Sequence, residues 1–207
     1  MTAIIFALIS CIGWAVGDIF GVAATRKIGA FPTTFWVFLF GSVIFTFYTS
    51  FALADLAGMT AGIFLLIVLL SFFYIGGNLA INEAFRVSNP SLTGTIGASF
   101  AGLTALFSVI FLGETISLSQ TVSILIIFIG LVLSSLDFDQ LRKGSLLKDR
   151  GVRLAFLAMF SWAVYFTFIK IPIRTVGWFW PTYLSFLTFP LLLFFMRKKK
   201  MKLYLPV

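Results

Sequence analysis

The sequence contains no histidine and a single cysteine, Cys11. An intramolecular disulfide is therefore excluded, and a metal site built from Cys and His ligands is not expected. Charged residues are also scarce, at 11% of the chain, whereas soluble domains carry about 25%. With 60% hydrophobic residues and a mean hydropathy of +1.10, the chain has too little polar surface for a water-soluble globule. A lipid bilayer is the environment that suits it.

Sequence signatures of common enzyme classes are missing as well. The chain has neither a G-x-x-x-x-G-K-[ST] phosphate-binding stretch nor a G-x-S-x-G nucleophile motif, and no histidine for proton transfer. We therefore expect no enzymatic activity, no cofactor and no bound metal. The net charge of +8 does not indicate nucleic-acid binding, because the basic residues lie in connections between apolar runs, where they set membrane orientation.

Seven apolar runs have the length of a transmembrane helix, about 20 residues each. Continuous apolarity favours helices, because the strands of a membrane β-barrel alternate apolar and polar residues. The sequence thus predicts an all-α polytopic membrane protein with seven transmembrane helices. The runs cover roughly residues 3–23, 31–53, 61–83, 91–112, 118–136, 152–171 and 178–196.

Two tracts of the chain resemble each other. Residues 25–33 read TRKIGAFPT and residues 173–182 read IRTVGWFWPT, and upstream of them Trp14-Ala15-Val16 returns as Trp162-Ala163-Val164. Apolar composition alone would not repeat Trp, Arg, Gly and Pro in the same order, so we infer an internal duplication; the alternative is chance similarity between two apolar helices. A unit with five helices, an odd number, would place its second copy inverted in the membrane.

The longest polar connection separates the two tracts. We predict a complete five-helix repeat over residues 1–136, a polar linker over 137–150 and the first two helices of an inverted second repeat over 151–207. A counterpart of the third run would begin near Val207. We therefore expect the chain to be the first part of a longer, ten-helix protein. The alternative is a seven-helix protein with a basic tail.

Short motifs in the first five runs follow a recognisable pattern. The fourth run begins with Asn89-Pro90-Ser91-Leu92 and ends with Leu112-Gly113-Glu114. Gln120 and Gly130 follow in the fifth run, and the first run carries Gly13-Trp14-Ala15. This pattern resembles the EamA family of the drug/metabolite transporter superfamily. The resemblance implies a carrier of small metabolites, built as two inverted repeats, and does not identify a substrate.

Polar side chains within the apolar runs are candidates for substrate binding or ion coupling, because such groups are costly in a bilayer. Asp18 lies in the first run, and Asn78, Asn82 and Glu83 lie at the end of the third. These two ends emerge on the same side, so we expect these residues to converge there with Arg26 and Arg86. Asp18 or Glu83 would bind a proton or a cationic group, and the two amides would hydrogen-bond substrate. The alternative for the carboxylates is an interfacial position.

Further candidates come from the sixth run and from basic residues at helix ends. Trp162 and Tyr165 are expected beside a substrate cavity. Four basic residues are either gates on the two sides of the membrane or side chains that reach headgroups: Arg26, Arg86, Lys170 and Arg174. For Glu114, we favour a role at the positive N-terminal end of the fifth helix.

Small residues recur at four-residue spacing in three runs, as in Gly13, Gly17 and Gly21. Such faces let helices approach closely in lipid, so we expect the first, third and fourth helices to pack together.

Basic residues are distributed unevenly between the two sides of the predicted helices. Of the 15 Lys and Arg residues, Lys170 and Arg174 alone fall on the side of the N-terminus. The positive-inside rule then predicts a plasma (inner) membrane protein with the N-terminus outside and the basic C-terminal tail in the cytoplasm. The family resemblance favours the opposite orientation.

These observations lead to two functional hypotheses. The first is a secondary carrier that moves a small-molecule substrate through the bilayer by alternating access. The second is a non-transporting membrane fragment, or an assembly subunit whose fold is completed by a partner. The sequence leaves a homodimer open and indicates no nucleic-acid partner.

Overall fold

The computed structural model describes residues 2–135 and 148–203, and every regular element in those ranges is helical. The α-helices, numbered here in chain order, are α1 (Thr2–Ile28), α2 (Ala30–Thr46), α3 (Ala61–Val87), α4 (Pro90–Ala98), α5 (Phe100–Leu112), α6 (Leu118–Ser135), α7 (Arg150–Phe168), α8 (Lys170–Val176), α9 (Phe179–Phe186) and α10 (Phe189–Lys198). Two short 3₁₀ segments, Thr49–Phe51 and Leu53–Gly58, connect α2 to α3.

Five helical stretches are long and apolar enough to cross a membrane, so the predicted all-helical membrane protein is confirmed. They are Ile4–Ile28, Ala61–Val87, Pro90–Leu112, Arg150–Val176 and Phe179–Lys198. The second and fifth predicted runs contain the shorter apolar helices Ala30–Thr46 and Leu118–Gly130. Seven crossings therefore stay a prediction, as do the domain boundaries; most of the predicted linker, 137–150, lies outside the described residues.

Side chains at the helix ends explain where several helices begin and stop. The Thr60 hydroxyl accepts a hydrogen bond from the backbone N–H of Ile63 at the start of α3, at 3.3 Å. Asn89 caps α4 and Asp149 caps α7 in the same way; each such cap contributes about 1 kcal/mol. Gly113 ends α5 in the left-handed conformation, with φ 64°, which glycine adopts without steric cost.

Two glycines at matching positions of the sequence repeat share an unusual backbone conformation. Gly29 has φ 93° and ψ 164°, and Gly177 has φ 67° and ψ 176°. This region is essentially closed to residues that carry a Cβ atom. Each glycine precedes a helix whose third residue is proline, Pro32 in α2 and Pro181 in α9. The local structure therefore repeats together with the sequence.

The centre of the bundle is the antiparallel pair α3 and α7. Near one end, Gly151 lies so close to Ser88 that a Cβ atom at Gly151 would collide with it. Farther along, the Trp162 ring packs on Gly77, where an added Cβ would lie 2.7 Å from the ring. Small residues such as Gly let helices gain close dispersion contacts in lipid, and the buried cluster of this contact includes Ala80, Ala84, Ala155 and Ala158.

The other face of α3 is covered by α2 and α9, and α10 packs against α2. Their contact is formed largely by aromatic and large aliphatic side chains, among them Phe38, Leu192 and Met196, which are almost completely buried. Phe38 packs against Tyr74 of α3 and Phe186 of α9, with ring centroids 5.4 and 5.3 Å away. Large side chains thus fill this side of α3, whereas small ones allow the close approach of α7.

Helix α1 runs parallel to α3 but is packed against it mainly near its C-terminal end. Thr25 is fully buried, whereas the residues before Gly21 are exposed. The predicted close packing of the small-residue face is wrong for α1, because a Cβ added at Gly13, Gly17 or Gly21 would meet no atom within 4 Å. Within the part of the chain that the structure describes, this face has no helical partner.

Candidate functional site

Three of the predicted residues come together at the end of the bundle where α3 stops and α7 starts. Glu83 accepts two hydrogen bonds from the guanidinium of Arg86, both 2.7 Å long, and a third from Arg150 of α7 at 3.2 Å. Arg26 donates to the backbone carbonyls of Phe85 (3.3 Å) and Ser88 (3.5 Å). Of the residues predicted to converge, Arg26, Glu83 and Arg86 meet at this end, and the carboxylate is neutralised by two cations.

A cavity of about 380 Å³ opens beside this ion cluster. Glu83, Arg86 and Arg150 line it, together with residues of the α1–α2 junction and Met201 after α10. Asp149 lies beside this cluster and holds the two helices together: it accepts a 2.6 Å hydrogen bond from the Ser88 hydroxyl and caps the start of α7. The start of α7 is thus held to the end of α3 by side-chain bonds as well as by close packing.

A second ion cluster lies at the opposite end of α7, around Glu114. The ammonium of Lys170 donates to a Glu114 oxygen at 2.7 Å and to the Ser108 hydroxyl at 2.8 Å. Arg174 donates to the other oxygen at 3.3 Å. The sequence suggested that Glu114 lies at a helix N-terminus, and that Lys170 and Arg174 are either gates or side chains that reach headgroups. In the structure, these three residues form a partly exposed bridge between the α5–α6 connection and α8.

The two predicted amide ligands have different surroundings. Asn82 is buried and lies between α1 and α2, where it accepts a hydrogen bond from the Thr25 hydroxyl (3.2 Å) and donates one to Thr34 (2.9 Å). Asn78, one turn earlier on the same face of α3, donates to the carbonyl of Tyr74. Asn82 therefore joins three helices, and its side chain is occupied by the protein itself.

Tyr165 belongs to a second buried hydrogen-bond network, between α3, α7 and α9. Its hydroxyl lies 3.1 Å from that of Ser185, which in turn lies 3.0 Å from that of Ser71. The ring stacks on Tyr74, with the centroids 4.6 Å apart, and the residue is 3% exposed. These hydroxyl partners were not singled out in the sequence, although Ser and Thr within apolar runs are a visible signal for interhelical bonds.

Trp162, the other predicted cavity residue, is wedged between two glycines. Its ring packs on Gly77 of α3 and reaches Gly97 of α4. The indole Nε1 is buried and has no hydrogen-bond partner among the residues that the structure describes. The ring also contacts Phe100, with the centroids 5.6 Å apart. Trp162 is thus a packing residue whose ring also contacts Phe100.

Asp18 is exposed, and helix spacing places it on α1 between Trp14 and Val22, one turn from each. Four positions of this helix face are Trp14, Asp18, Val22 and Thr25. Three of them have contacts: Trp14 with Phe100 and Phe166, Val22 with the α3–α7 core, and Thr25 with Asn82. Residues at i, i+4 and i+8 share one helix face. Within the described ranges, no hydrogen bond or ion pair is formed by the Asp18 carboxylate.

The signature residues have structural roles. Pro90 starts α4, where the missing N–H of proline is no loss. Gln120 forms a capping box with Ser117: its side chain accepts from the Ser117 N–H at 2.8 Å, and the Ser117 hydroxyl accepts from the Gln120 N–H at 3.2 Å. Gly113 ends α5 as described above. Gly130 lies on the exposed face of α6, with open space where a Cβ would be.

A cavity of about 510 Å³ lies between α4, α5, α6 and α7. It is lined by apolar side chains and by the hydroxyls of Thr95, Ser99 and Thr121. Each of these hydroxyls donates to a carbonyl one turn earlier in the chain. None of the predicted site residues lines this groove, so it is separate from the polar clusters.

The described residues include no group of three or more His, Cys, Asp or Glu side chains that could hold a metal ion. No curated protein and no solved structure matches the sequence. A family model described as the EamA-like transporter family matches residues 1–136, which is well over half of the 207 residues. The motifs at Pro90, Gly113 and Glu114 fall within that match. The chain therefore belongs to the EamA-like transporter family.

Proposed function

We propose that the protein is a secondary carrier for small solutes that works by alternating access between two units of opposite orientation. The first unit is residues 1–136, and the second begins around Gly151. The family suggests a transporter, and the bundle has the helical, membrane-spanning architecture that a carrier requires. The substrate path would run beside the α3–α7 pair, where the two units meet.

One observation carries this proposal. Helices α1 and α7 contain the repeated Trp-Ala-Val sequence, yet α1 runs parallel to α3 and α7 runs antiparallel to it. The chain leaves both helices through glycines of the same backbone conformation, Gly29 and Gly177. Repeats of opposite direction, with the substrate site between them, are a recurrent design of secondary transporters.

The two ion clusters support a role as gates. Glu83 with Arg86 and Arg150 lies at one end of the α3–α7 pair, and Glu114 with Lys170 lies at the other. Both clusters connect the first unit to the second. Because opening a path between two rocking units separates such bridges, one cluster is expected to be broken in each open state. The end at Glu83 also has the close contact between Gly151 and Ser88, so we expect the cluster at Glu114 to open first.

We further propose that the Glu83 end faces the cytoplasm of a cell with the carrier in its plasma membrane. This end carries Arg26, Arg86 and Arg150 and the basic stretch after α10, so the positive-inside rule favours it. The N-terminus would then be outside. The expected partners are the bilayer and a small-molecule substrate.

Counterflow in proteoliposomes tests the function. Liposomes containing the full chain would be loaded with an unlabelled solute and diluted into a trace of the same radiolabelled solute, for an amine, an amino acid, a carboxylic acid and a nucleoside in turn. A carrier exchanges the two pools, so label should accumulate transiently for at least one class and not in protein-free liposomes. Failure of all four classes with a folded, monodisperse protein would contradict the proposal.

A further inference from the structure

The cavity beside Glu83 has more positive than negative charge around it. Its volume is about 380 Å³, and the charged residues that line it are Glu83, Arg86 and Arg150. Lys199, just after α10, lies over the Phe31 ring with its ammonium nitrogen 5.5 Å from the ring centroid, and Phe31 also lines the cavity. Three cations and one carboxylate thus lie on or next to the cavity wall. This balance of charge attracts an anion.

Glu83 does not use up the hydrogen-bonding groups of the two arginines. It accepts hydrogen bonds from Nε and Nη2 of Arg86 and from Nη2 of Arg150. A guanidinium carries five N–H donors in one plane, so each arginine keeps several for a second acceptor. The arginine side chains are 44% and 66% exposed, compared with 19% for Glu83. The carboxylate therefore fixes the position of two guanidinium groups that remain accessible from the cavity.

The start of α2 adds further donors at the same place. The first N–H groups of a helix have no partner within that helix, and two of them belong here to Ala30 and Phe31, which line the cavity together with Gly29. Gly29 has φ 93° and ψ 164°, a conformation that essentially requires glycine. The positive end of the α2 dipole thus lies at the cavity that the arginines line, which favours an anion there.

The remaining lining residues are apolar and favour a lipid over a soluble anion. Leu79, Met201 and the Phe31 ring lie in the cavity wall beside the two arginines. The cavity is also at the level where transmembrane segments end, at Val87 of α3 and Arg150 of α7, which is where lipid headgroups lie. Basic pockets between transmembrane helices on the cytoplasmic side bind anionic headgroups, and arginine donates paired hydrogen bonds to a phosphate.

We propose that this cavity binds the headgroup phosphate of an anionic phospholipid. Arg86 and Arg150 donate to the phosphate oxygens, next to the first N–H groups of α2. Phe31, Leu79 and Met201 contact the glycerol and the first methylene groups of the acyl chains. A lipid in this position links the start of α2 to the end of α3 and the start of α7, so it stabilises this end of the bundle. The inference does not depend on the carrier function, because lipid binding needs no transport.

Native mass spectrometry of the full chain in detergent tests the site, because it resolves individual bound lipids. We expect phosphatidylglycerol to bind about fivefold or more tightly than phosphatidylcholine with the same chains, whose trimethylammonium group would lie among the cations. Arg150→Gln should weaken phosphatidylglycerol binding about five- to tenfold. Arg150→Lys keeps the charge but loses the planar donor group, so it should restore part of the affinity.

Two matched controls separate the cavity from a general attraction between anionic lipid and basic residues. Arg174→Gln removes an arginine of similar exposure and bonding at the other end of the bundle: it is 72% exposed and 3.3 Å from Glu114, compared with 66% and 3.2 Å for Arg150 and Glu83. Lys198→Gln removes a positive charge at the same end, at an exposed position outside the cavity wall. Both should leave binding unchanged, since salt screens distant exposed charges.

A second measurement does not depend on the folding of the arginine variants. Phosphatidylglycerol should raise the melting temperature of the unaltered chain more than phosphatidylcholine does, because a ligand that binds the folded state stabilises it. Lys199→Gln leaves the bridge at Glu83 intact and should weaken phosphatidylglycerol binding about threefold. An equal effect of the two lipids on melting, together with full binding by Lys199→Gln, would contradict the site even if Arg150→Gln did not fold.

Three further results would overturn the inference. They are equal affinity for the two lipids, an Arg150→Gln variant that binds phosphatidylglycerol as tightly as the unaltered chain, and a loss in Arg174→Gln or Lys198→Gln as large as that in Arg150→Gln. Glycerol 3-phosphate distinguishes the source of the phosphate, because it has the charged group without acyl chains. It should not displace phosphatidylglycerol at millimolar concentration, and displacement would assign the cavity to a soluble anion instead.

Discussion

Helices α1 and α7 start from related sequences and end in different surroundings. Both contain Trp-Ala-Val, followed later by arginine and glycine. In α7 the tryptophan is wedged between Gly77 and Gly97, and alternate residues from Ser161 to Ile169 are buried. In α1 the equivalent Trp14 is 54% exposed. Similar helices are therefore buried to very different extents within one chain.

The difference lies in the residues that face each helix. A tryptophan needs a recess, and α3 supplies one to α7 because Gly77 has no side chain. The glycines of α1 leave space on the surface of that helix, and no described residue packs into that space. A pattern of small residues thus indicates where a helix can be approached, and the facing side chain determines whether it is. Asp18 on the same helix likewise has no partner among the described residues.

The largest stability effect is expected at the joint between α3 and α7. Gly151→Ala places a methyl group against Ser88 and the carbonyl of Ala84, and overpacking against backbone costs about 3 kcal/mol. Gly13→Ala on α1 meets open space and should stabilise by about 0.5–1 kcal/mol, because alanine is the better helix former. Thermal unfolding followed by size-exclusion chromatography would compare them. Equal shifts would mean that α7 is packed no more tightly than α1.

A somewhat smaller effect is expected from two neighbouring glycines of α3. Gly77→Ala puts its methyl group 2.7 Å from the Trp162 ring, whereas Gly76→Ala meets no atom within 4 Å. The first should cost about 1–2 kcal/mol and shift the tryptophan emission, since the Trp162 ring has to move. The second should be neutral or stabilising. A destabilised Gly76→Ala and an unaffected Gly77→Ala would show that the ring is not seated as described.

Removal of the unpaired carboxylate from α1 should stabilise the protein. Asp18→Asn eliminates a charge without an internal partner, and we expect a gain of about 1 kcal/mol, well below the full insertion cost because detergent micelles admit water. Glu83→Gln is the matched substitution at a paired carboxylate and should lower stability by a similar amount. Melting temperatures of both variants decide this. A destabilised Asp18→Asn would reveal a partner that holds the carboxylate.

The smallest effect concerns the bridge that holds the far end of α7. Glu114→Lys or Lys170→Glu alone places like charges together, and each should cost about 0.5–1 kcal/mol because the pair is partly exposed. The double exchange Glu114→Lys with Lys170→Glu should recover part of that loss. A double-mutant cycle in melting temperature gives the coupling. Strict additivity of the single changes would indicate that the bridge does not fasten α7.

The sequence predicted the helical class, the membrane environment and the family, because these depend on composition, long apolar runs and short motifs. It also placed Arg26, Glu83 and Arg86 together, since parallel helices bring their ends to one side. It missed the bridge from Glu114 to Lys170. These residues are far apart in the chain, and they meet only because α7 runs antiparallel to α3 and carries Lys170 to the end where Glu114 lies. Packing of α1 was also mispredicted, because its spacing of glycines does not specify a partner.

The binding candidates could be ranked only with the structure. Asn82 and Asp18 look alike in sequence, as polar residues in apolar helices. The hydroxyls of Thr25 and Thr34 satisfy the amide, while nothing in the described ranges satisfies the carboxylate. Ranking them requires knowledge of which faces of α1, α2 and α3 meet, and helix periodicity in single segments does not contain that information.

Labelling of single cysteines from each side of the membrane tests the opposed orientation of α1 and α7 most directly. Cys11→Ser removes the one native cysteine, and Lys27→Cys or Thr175→Cys then places a thiol after each copy of the repeat, at positions that are exposed. The account predicts that a membrane-impermeant maleimide labels the two variants from opposite sides of sealed vesicles. Labelling of both from the same side would contradict it.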